Sequence, residues 1–257
     1  MMLGVLQGRL SKPVGGAYQE FPRYWRNEFD VLNQLDLVGV EWLITPLCEK
    51  NNPFMRTNEV SELPIMSVCV DTLVSDLICS EEFLREKLDP VCALSIENGV
   101  EILTIPILDD SDLNDDDKRS RFCSLILEYG KRYPKLKFAF EAEMPPEKLG
   151  EIVNLSDNFY VTYDTGNITS CGVDHEHFIG YFKDKIINVH IKDRTYDRRT
   201  VSPTTGDTNF ELIFKNLSSI GYKGNFILQT ARGPTGQEFD TIRKHIDIFK
   251  DLYDRHF

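Results

Sequence analysis

Eight short apolar runs, bounded by polar residues and separated by amphipathic stretches, leave this chain few folds to choose from. They are LGVLQ (3–7), VGVEWLI (38–44), IMSVCV (65–70), EILTIPI (101–107), LKFAFE (136–141), FYVTYD (159–164), IINVHI (186–191) and NFILQ (225–229). The stretches between them, such as EEFLREKLDPVCALSIENG, RSRFCSLILEYGKRY, NFELIFKNLSSIG and FDTIRKHIDIFKDLYDRHF, carry apolar residues at helical spacing. Gly99 and Gly221 stand where two of these helices should stop. Continuously apolar strands, each followed by a helix, form a parallel sheet covered on both faces. Eight repeats in 257 residues predict a closed (β/α)8 TIM barrel rather than an open doubly wound sheet. No Gly/Ser-rich linker divides the chain, so residues 1–257 are read as one barrel domain. The second helix is the weak repeat, since NNPFMRTNEVSEL offers only a short helical segment.

In such a barrel, chemistry sits where strands end and loops begin. Strand five ends in Glu141, strand six in Asp164 and strand eight in Gln229, and strand seven carries His190. Each alone has an ordinary explanation: an Asp before Thr-Gly forms turns, and a His in a strand packs in a core. Four polar groups on four successive strand ends point instead to a divalent-metal site. Oxygen-rich ligation with one imidazole suits Mn²⁺ best, with Mg²⁺, Co²⁺ and Zn²⁺ also compatible.

Other polar residues fall near the same mouth. Gln7 and Arg9 follow strand one with shared parity. Arg9 suits a carboxylate, phosphate or hydroxyl, or else a surface salt bridge. Glu41 can bind hydroxyls, while Trp42 is read as packing between sheet and helices. Glu143 and Lys192 lie two residues beyond Glu141 and His190, as a second acid or base or as partners of one another. Arg194 and Arg232 are candidate anion contacts. His175 and His177 in VDHEHF fall at a helix start, where successive side chains diverge, and are read as solvent-exposed. TTGDTNF (204–210) is read as a loop and helix cap.

Composition excludes several function classes. A net charge of −12 argues against binding along a phosphate backbone. The acidic run LDDSDLNDDDKRSR lacks the central glycine and closing Glu of an EF-hand and reads as a loop entering a helix. No apolar run approaches the roughly 18–20 residues of a membrane span, and MMLGVLQGRL lacks the basic start of a signal peptide. Six scattered cysteines without CxxC pairs are expected to be reduced thiols of a cytoplasmic protein.

The segments LQGRLS, VEWL, YDTGN, VHIKDR and GDTNFELIFKNLSSIGYKGNFILQTARG together resemble the sugar phosphate isomerase/epimerase family of xylose-isomerase-like TIM barrels, most specifically over residues 159–233. The resemblance implies a divalent metal held by Glu141, Asp164, His190 and, at the position of a final Glu, Gln229. It makes Glu141 the proton-abstracting base, puts Gln229 at a catalytic position, and makes Asn167 a substrate contact where relatives often carry His; Lys192, by its spacing from His190, is the candidate second acid or base of the catalytic set. It also implies a small sugar substrate, an enediolate stabilised by the metal, and homo-oligomers. The glutamine departs from the commoner pattern: it can offer an oxygen to a metal but cannot exchange a proton, although some relatives share it. A single titratable base favours same-face aldose–ketose isomerisation over epimerisation, unless Lys192 or Glu143 supplies a second acid. The competing readings are a sugar-binding barrel without turnover and a metal-dependent phosphodiesterase of the endonuclease type, which would need more histidines and a basic surface.

Overall fold

The computed structural model describes residues 1–16, 19–56 and 59–257. The strands β1 (Met2–Leu6), β2 (Gly39–Leu43), β3 (Ile65–Cys69), β4 (Ile102–Ile107), β5 (Lys137–Ala142), β6 (Phe159–Asp164) and β7 (Ile186–Ile191) fall on the first seven apolar runs. A two-stranded ribbon follows, β8 (Asp193–Arg194) against β9 (Thr200–Val201), and then β10 (Asn225–Leu228) on the last run. The eight parallel strands close in the order β1-β10-β7-β6-β5-β4-β3-β2. This is a TIM barrel.

Helices α1 (Arg26–Leu32), α2 (Glu81–Glu97), α3 (Asp116–Arg132), α4 (Pro146–Val153), α5 (Thr165–Ser170), α6 (His175–Phe182), α7 (Phe210–Ser219) and α8 (Glu238–His256) connect and cover the strands. The weak second repeat holds two 3-10 turns, Glu49–Asn51 and Pro53–Met55, and no α-helix among its described residues; Thr57 and Asn58 lie outside them. The acidic run becomes a turn and the first turn of α3, capped by the Asp115 side chain on the Lys118 N–H at 2.9 Å. Gly99 (φ 71°) and Gly221 (φ 68°) terminate α2 and α7 in the left-handed conformation. The N–H groups of Val100 and Tyr222 bond back to Ser95 and Leu217, as that termination requires.

Strand alternation divides the interior in two. Outward residues such as Val68, Phe138, Phe140, Tyr163 and Ile191 join the core between sheet and helices. Phe140 packs edge-on against Phe122 of α3, with ring centroids 6.2 Å apart. Trp42 is fully buried there among Phe21, Trp25, Phe29 and Phe54, with its indole N–H on Asn52 Oδ1 at 2.8 Å, so it packs as expected. Inside the barrel, Leu6, Leu43, Cys69 and Ile227 form a small apolar plug beside a polar layer. No helix of the described residues is long and apolar enough to cross a membrane, and all six cysteines are free thiols.

The loop after β1 depends on a buried carboxylate. Glu28 of α1 is 1% exposed and accepts the N–H of Gly8 at 3.0 Å and of Leu10 at 3.2 Å. Burial pushes its pKa up to about 7 despite these N–H bonds. Gly8 turns the chain at φ 91°, where a side chain would strike the Glu20 carbonyl. Replacing Glu28 by Ala leaves two loop N–H groups unsatisfied, which should cost about 2–3 kcal/mol. Urea unfolding of Glu28→Ala checks this, and an unchanged midpoint would place the anchorage elsewhere.

Candidate functional site

Register brings the polar strand ends together. Asp164 pairs in the ladder with His190, and β5, β6, β7 and β10 are successive neighbours around the barrel. Glu141, Asp164 and His190 each offer a ligand atom, all within 4.8 Å of one another. All three side chains are buried.

The polar layer below fixes the imidazole. Glu41 of β2 accepts hydrogen bonds from Ser67 at 2.6 Å, Thr104 at 3.1 Å and Asn188 at 2.8 Å. Its other oxygen lies 2.7 Å from His190 Nε2. That contact turns Nδ1 upward, 3.4 Å from a Glu141 oxygen and 3.8 Å from an Asp164 oxygen, with no well-formed hydrogen bond among the described residues. Burial pushes the Glu41 carboxyl up, but the His190 charge and hydrogen bond hold it below its ordinary value. Burial likewise pushes His190 down, and the Glu41 and Glu141 charges carry it well above. Asp164 follows the same logic: burial raises it, and the Lys192 and His190 charges bring it below normal.

A buried imidazole nitrogen without a well-formed hydrogen bond, aimed at two carboxylates and held from behind by a third, fits a divalent cation. Carboxylates this close repel one another, and the Lys192 charge beside Asp164 offsets that repulsion. Lys192 Nζ sits 2.8 Å from Asp164 and 3.2 Å from Asn167 Oδ1. Asn167 in turn donates to Glu141 at 2.8 Å.

Above the cluster lies a cavity of about 300 Å³, at the small-molecule end of pocket sizes. Glu141, Asn167, Lys192, Arg194 and Gln229 line it, as do Cys69, Asp71 and Asp109. Gln229 is held by its N–H on the Ile191 carbonyl at 3.0 Å, continuing the ladder past β10. The structure thus brings together five residues singled out from the sequence at this wall.

Others lie elsewhere. Gln7 is wholly buried and caps the Leu43 N–H at 3.2 Å, off the cavity wall. Arg9 is buried rather than a surface salt bridge, with Nε on the Thr230 carbonyl at 2.9 Å and a terminal nitrogen on Gln19. Arg232 donates to the Gly8 and Ser11 carbonyls at 2.6 and 3.1 Å, so both arginines tie the β1 loop to the end of β10. Glu41 lies beneath the cavity, where it orients His190. Glu143 pairs with Arg194 at 2.8 Å and with Arg198 of the ribbon, so it does not pair with Lys192. His177 is exposed and hydrogen-bonded to Glu147, but His175 is buried, contrary to expectation. Its ring lies between the Tyr163 hydroxyl at 2.5 Å and Thr169 at 3.0 Å, because its helix packs that face onto β6.

Sequence reasoning missed Asp71, although it is the first charged residue past strand three and shares parity with inward-facing Cys69. It opens the turn Asp71–Leu73. Burial, then the Glu141 and Asp109 charges, push its pKa up to about 6 against the opposing effect of Lys192.

Comparison with known proteins agrees with this architecture. Residues 146–252 match the family described as xylose isomerase-like TIM barrel. A D-tagatose 3-epimerase-like protein is 18% identical over 99% of each chain, with a TM-score of 0.71. The IOLI protein, solved with a zinc atom, is 15% identical over 100% of this chain and 99% of its own, with a TM-score of 0.76. The 3-keto-D-glucoside 4-epimerase YcjR from E. coli is 16% identical over 98% and 99%, with a TM-score of 0.71. No curated protein matches significantly in sequence. In fold the chain is a xylose isomerase-like TIM barrel.

The Asp71 environment has a signed consequence. A carboxyl whose folded pKa lies above its unfolded value favours the native state when protonated, and that contribution is lost as pH rises through about 6. In metal-free protein, Asp71→Asn should therefore be more stable than wild type at pH 8, by up to about 3 kcal/mol. The gain should shrink to nothing below pH 4. Thermal melts across that range check it; equal stability at pH 8 would mean Asp71 feels no such field.

Proposed function

We propose that this protein is a divalent-metal-dependent isomerase or epimerase of a sugar or sugar phosphate. The observation that carries the reading is the buried Glu141, Asp164 and His190 cluster, whose Glu141 reaches the wall of a small cavity. Glu141, Asp164, His190 through Nδ1, and Gln229 through its amide oxygen would hold the ion, with Mn²⁺ preferred on ligand chemistry. When bound, the ion would polarise substrate oxygens and stabilise developing negative charge.

The chain's own residues supply the rest. Glu141, at the wall of the cavity, is the base that takes a proton from the carbon beside the substrate carbonyl. Asn167 holds Glu141 from the side through its amide. Lys192 offers a positive charge to the same wall, and Arg194 presents a guanidinium to substrate hydroxyl or phosphate oxygens. The epimerase names of two structural neighbours support this chemistry, and the acidic balance of the chain disfavours phosphodiester substrates along nucleic acid. Cytoplasmic location and homo-oligomers belong to the same proposal, as does one barrel domain over residues 1–257.

The function is tested by incubating Mn²⁺-loaded protein with a panel of ketoses in D₂O and following deuterium at the carbon next to the carbonyl by NMR. Metal-dependent incorporation is expected. Tight binding of a ketose without any incorporation would favour a sugar-binding barrel, the reading that an uncharged Gln229 keeps in play.

Ligation by Gln229 has its own test. Gln229→Glu adds a negative charge to the ligand set and should tighten Mn²⁺ binding about 10-fold, or ~1.4 kcal/mol. Calorimetry showing equal or weaker binding would put residue 229 outside the ligand set.

A further inference from the structure

Among the described carboxyl groups of the cavity, Asp71 differs in its commitments. Glu141 accepts from Asn167, and Asp109 is exposed. Among the described residues, the Asp71 side chain has neither a hydrogen bond nor an ion pair, yet its backbone is tightly held. Its neighbours Val70 and Thr72 donate to the Thr104 and Ile44 carbonyls, each at 3.0 Å, locking the segment to both flanking strands. Such an uncommitted carboxyl on a fixed support is free to serve a ligand.

Its position is equally specific. In the barrel order, β3 lies four strands from β7 in either direction and two from β5. Asp71 therefore faces Lys192 across the cavity and views its contents from a different wall than Glu141. Resting on the sugar reading above, we propose that Asp71 is the second proton-transfer residue of this site, protonating the substrate carbon on a face that Glu141 does not reach.

The step balances within the cavity. The Glu141 carboxylate takes the proton of the C–H bond, and the bonding pair delocalises into the adjacent carbonyl. The pair then returns to carbon and forms a new C–H bond with the proton of the Asp71 carboxyl. The carbonyl is restored, the carbon is inverted, and the two carboxyls exchange their proton with water to reset. The groups facing Asp71 are Glu141 from β5, Asp109 from the β4 loop and Lys192 from β7, and together with burial they bring its pKa to about 6.

The test uses the full chain loaded with Mn²⁺, with D-fructose, D-allulose, D-tagatose and D-xylulose as probes in D₂O. Wild type should give the inverted ketose carrying deuterium at the inverted carbon. Asp71→Asn, and independently Asp71→Ser, should slow inversion at least about 100-fold while still washing deuterium into the uninverted ketose through Glu141. Inversion at the wild-type rate in both variants would overturn the assignment. Exchange without inversion in wild type would overturn it too, leaving the sugar reading intact. No exchange into any probe would instead remove the sugar reading, and this assignment with it.

Discussion

The contact between Glu41 and His190 is the interaction on which the rest of the site depends. Taking both charges out of water is costly, and a buried pair is seldom retained for stability alone. Here the pair has a geometric effect. Glu41 is itself held by Ser67, Thr104 and Asn188, so the imidazole that leans on it has one orientation. Nδ1 is thereby committed to the side where Glu141 and Asp164 converge. Carboxylate support behind a histidine is a recurrent way of fixing both its tautomer and its basicity toward a metal.

The barrel interior reflects this commitment. Many inward positions hold Thr, Ser, Asn and Glu, beside the small apolar cluster of Leu6, Leu43, Cys69 and Ile227 with Met66 packed against it. Apolar stabilisation comes from the layer between sheet and helices, where Phe138, Phe140, Phe159 and their partners pack. The division lets the interior carry electrostatic work while the outer layer maintains the fold. The arginines of the β1 and β10 loops serve the same division, since both Arg9 and Arg232 donate to backbone carbonyls.

Much of this was legible beforehand. Eight apolar runs mapped onto eight barrel strands because parallel strands covered on both faces are apolar throughout, and the resulting ends exposed Glu141, Asp164, His190 and Gln229. The second helix was illegible because its segment forms only 3-10 turns among its described residues. Roles that depend on depth were harder. Glu41 sits at a strand position as good as Glu141, and only the stagger of the barrel puts it beneath the imidazole. Glu143 and Lys192 share spacing with their neighbours, yet the ribbon β8–β9 captures the first and Asp164 the second. Asp71 followed the same first-charge-past-the-strand pattern as the others, and its significance emerged only from its lack of a partner among the described residues of a shared cavity.

The central claim is that these residues form one metal centre, and anomalous scattering from a Mn²⁺-soaked crystal tests it most directly. A single peak is expected within about 2.0–2.6 Å of Glu141, Asp164, His190 Nδ1 and the Gln229 amide oxygen. A crystal with no peak among them, or with manganese only on the exposed acidic run that begins at Asp109, would contradict it.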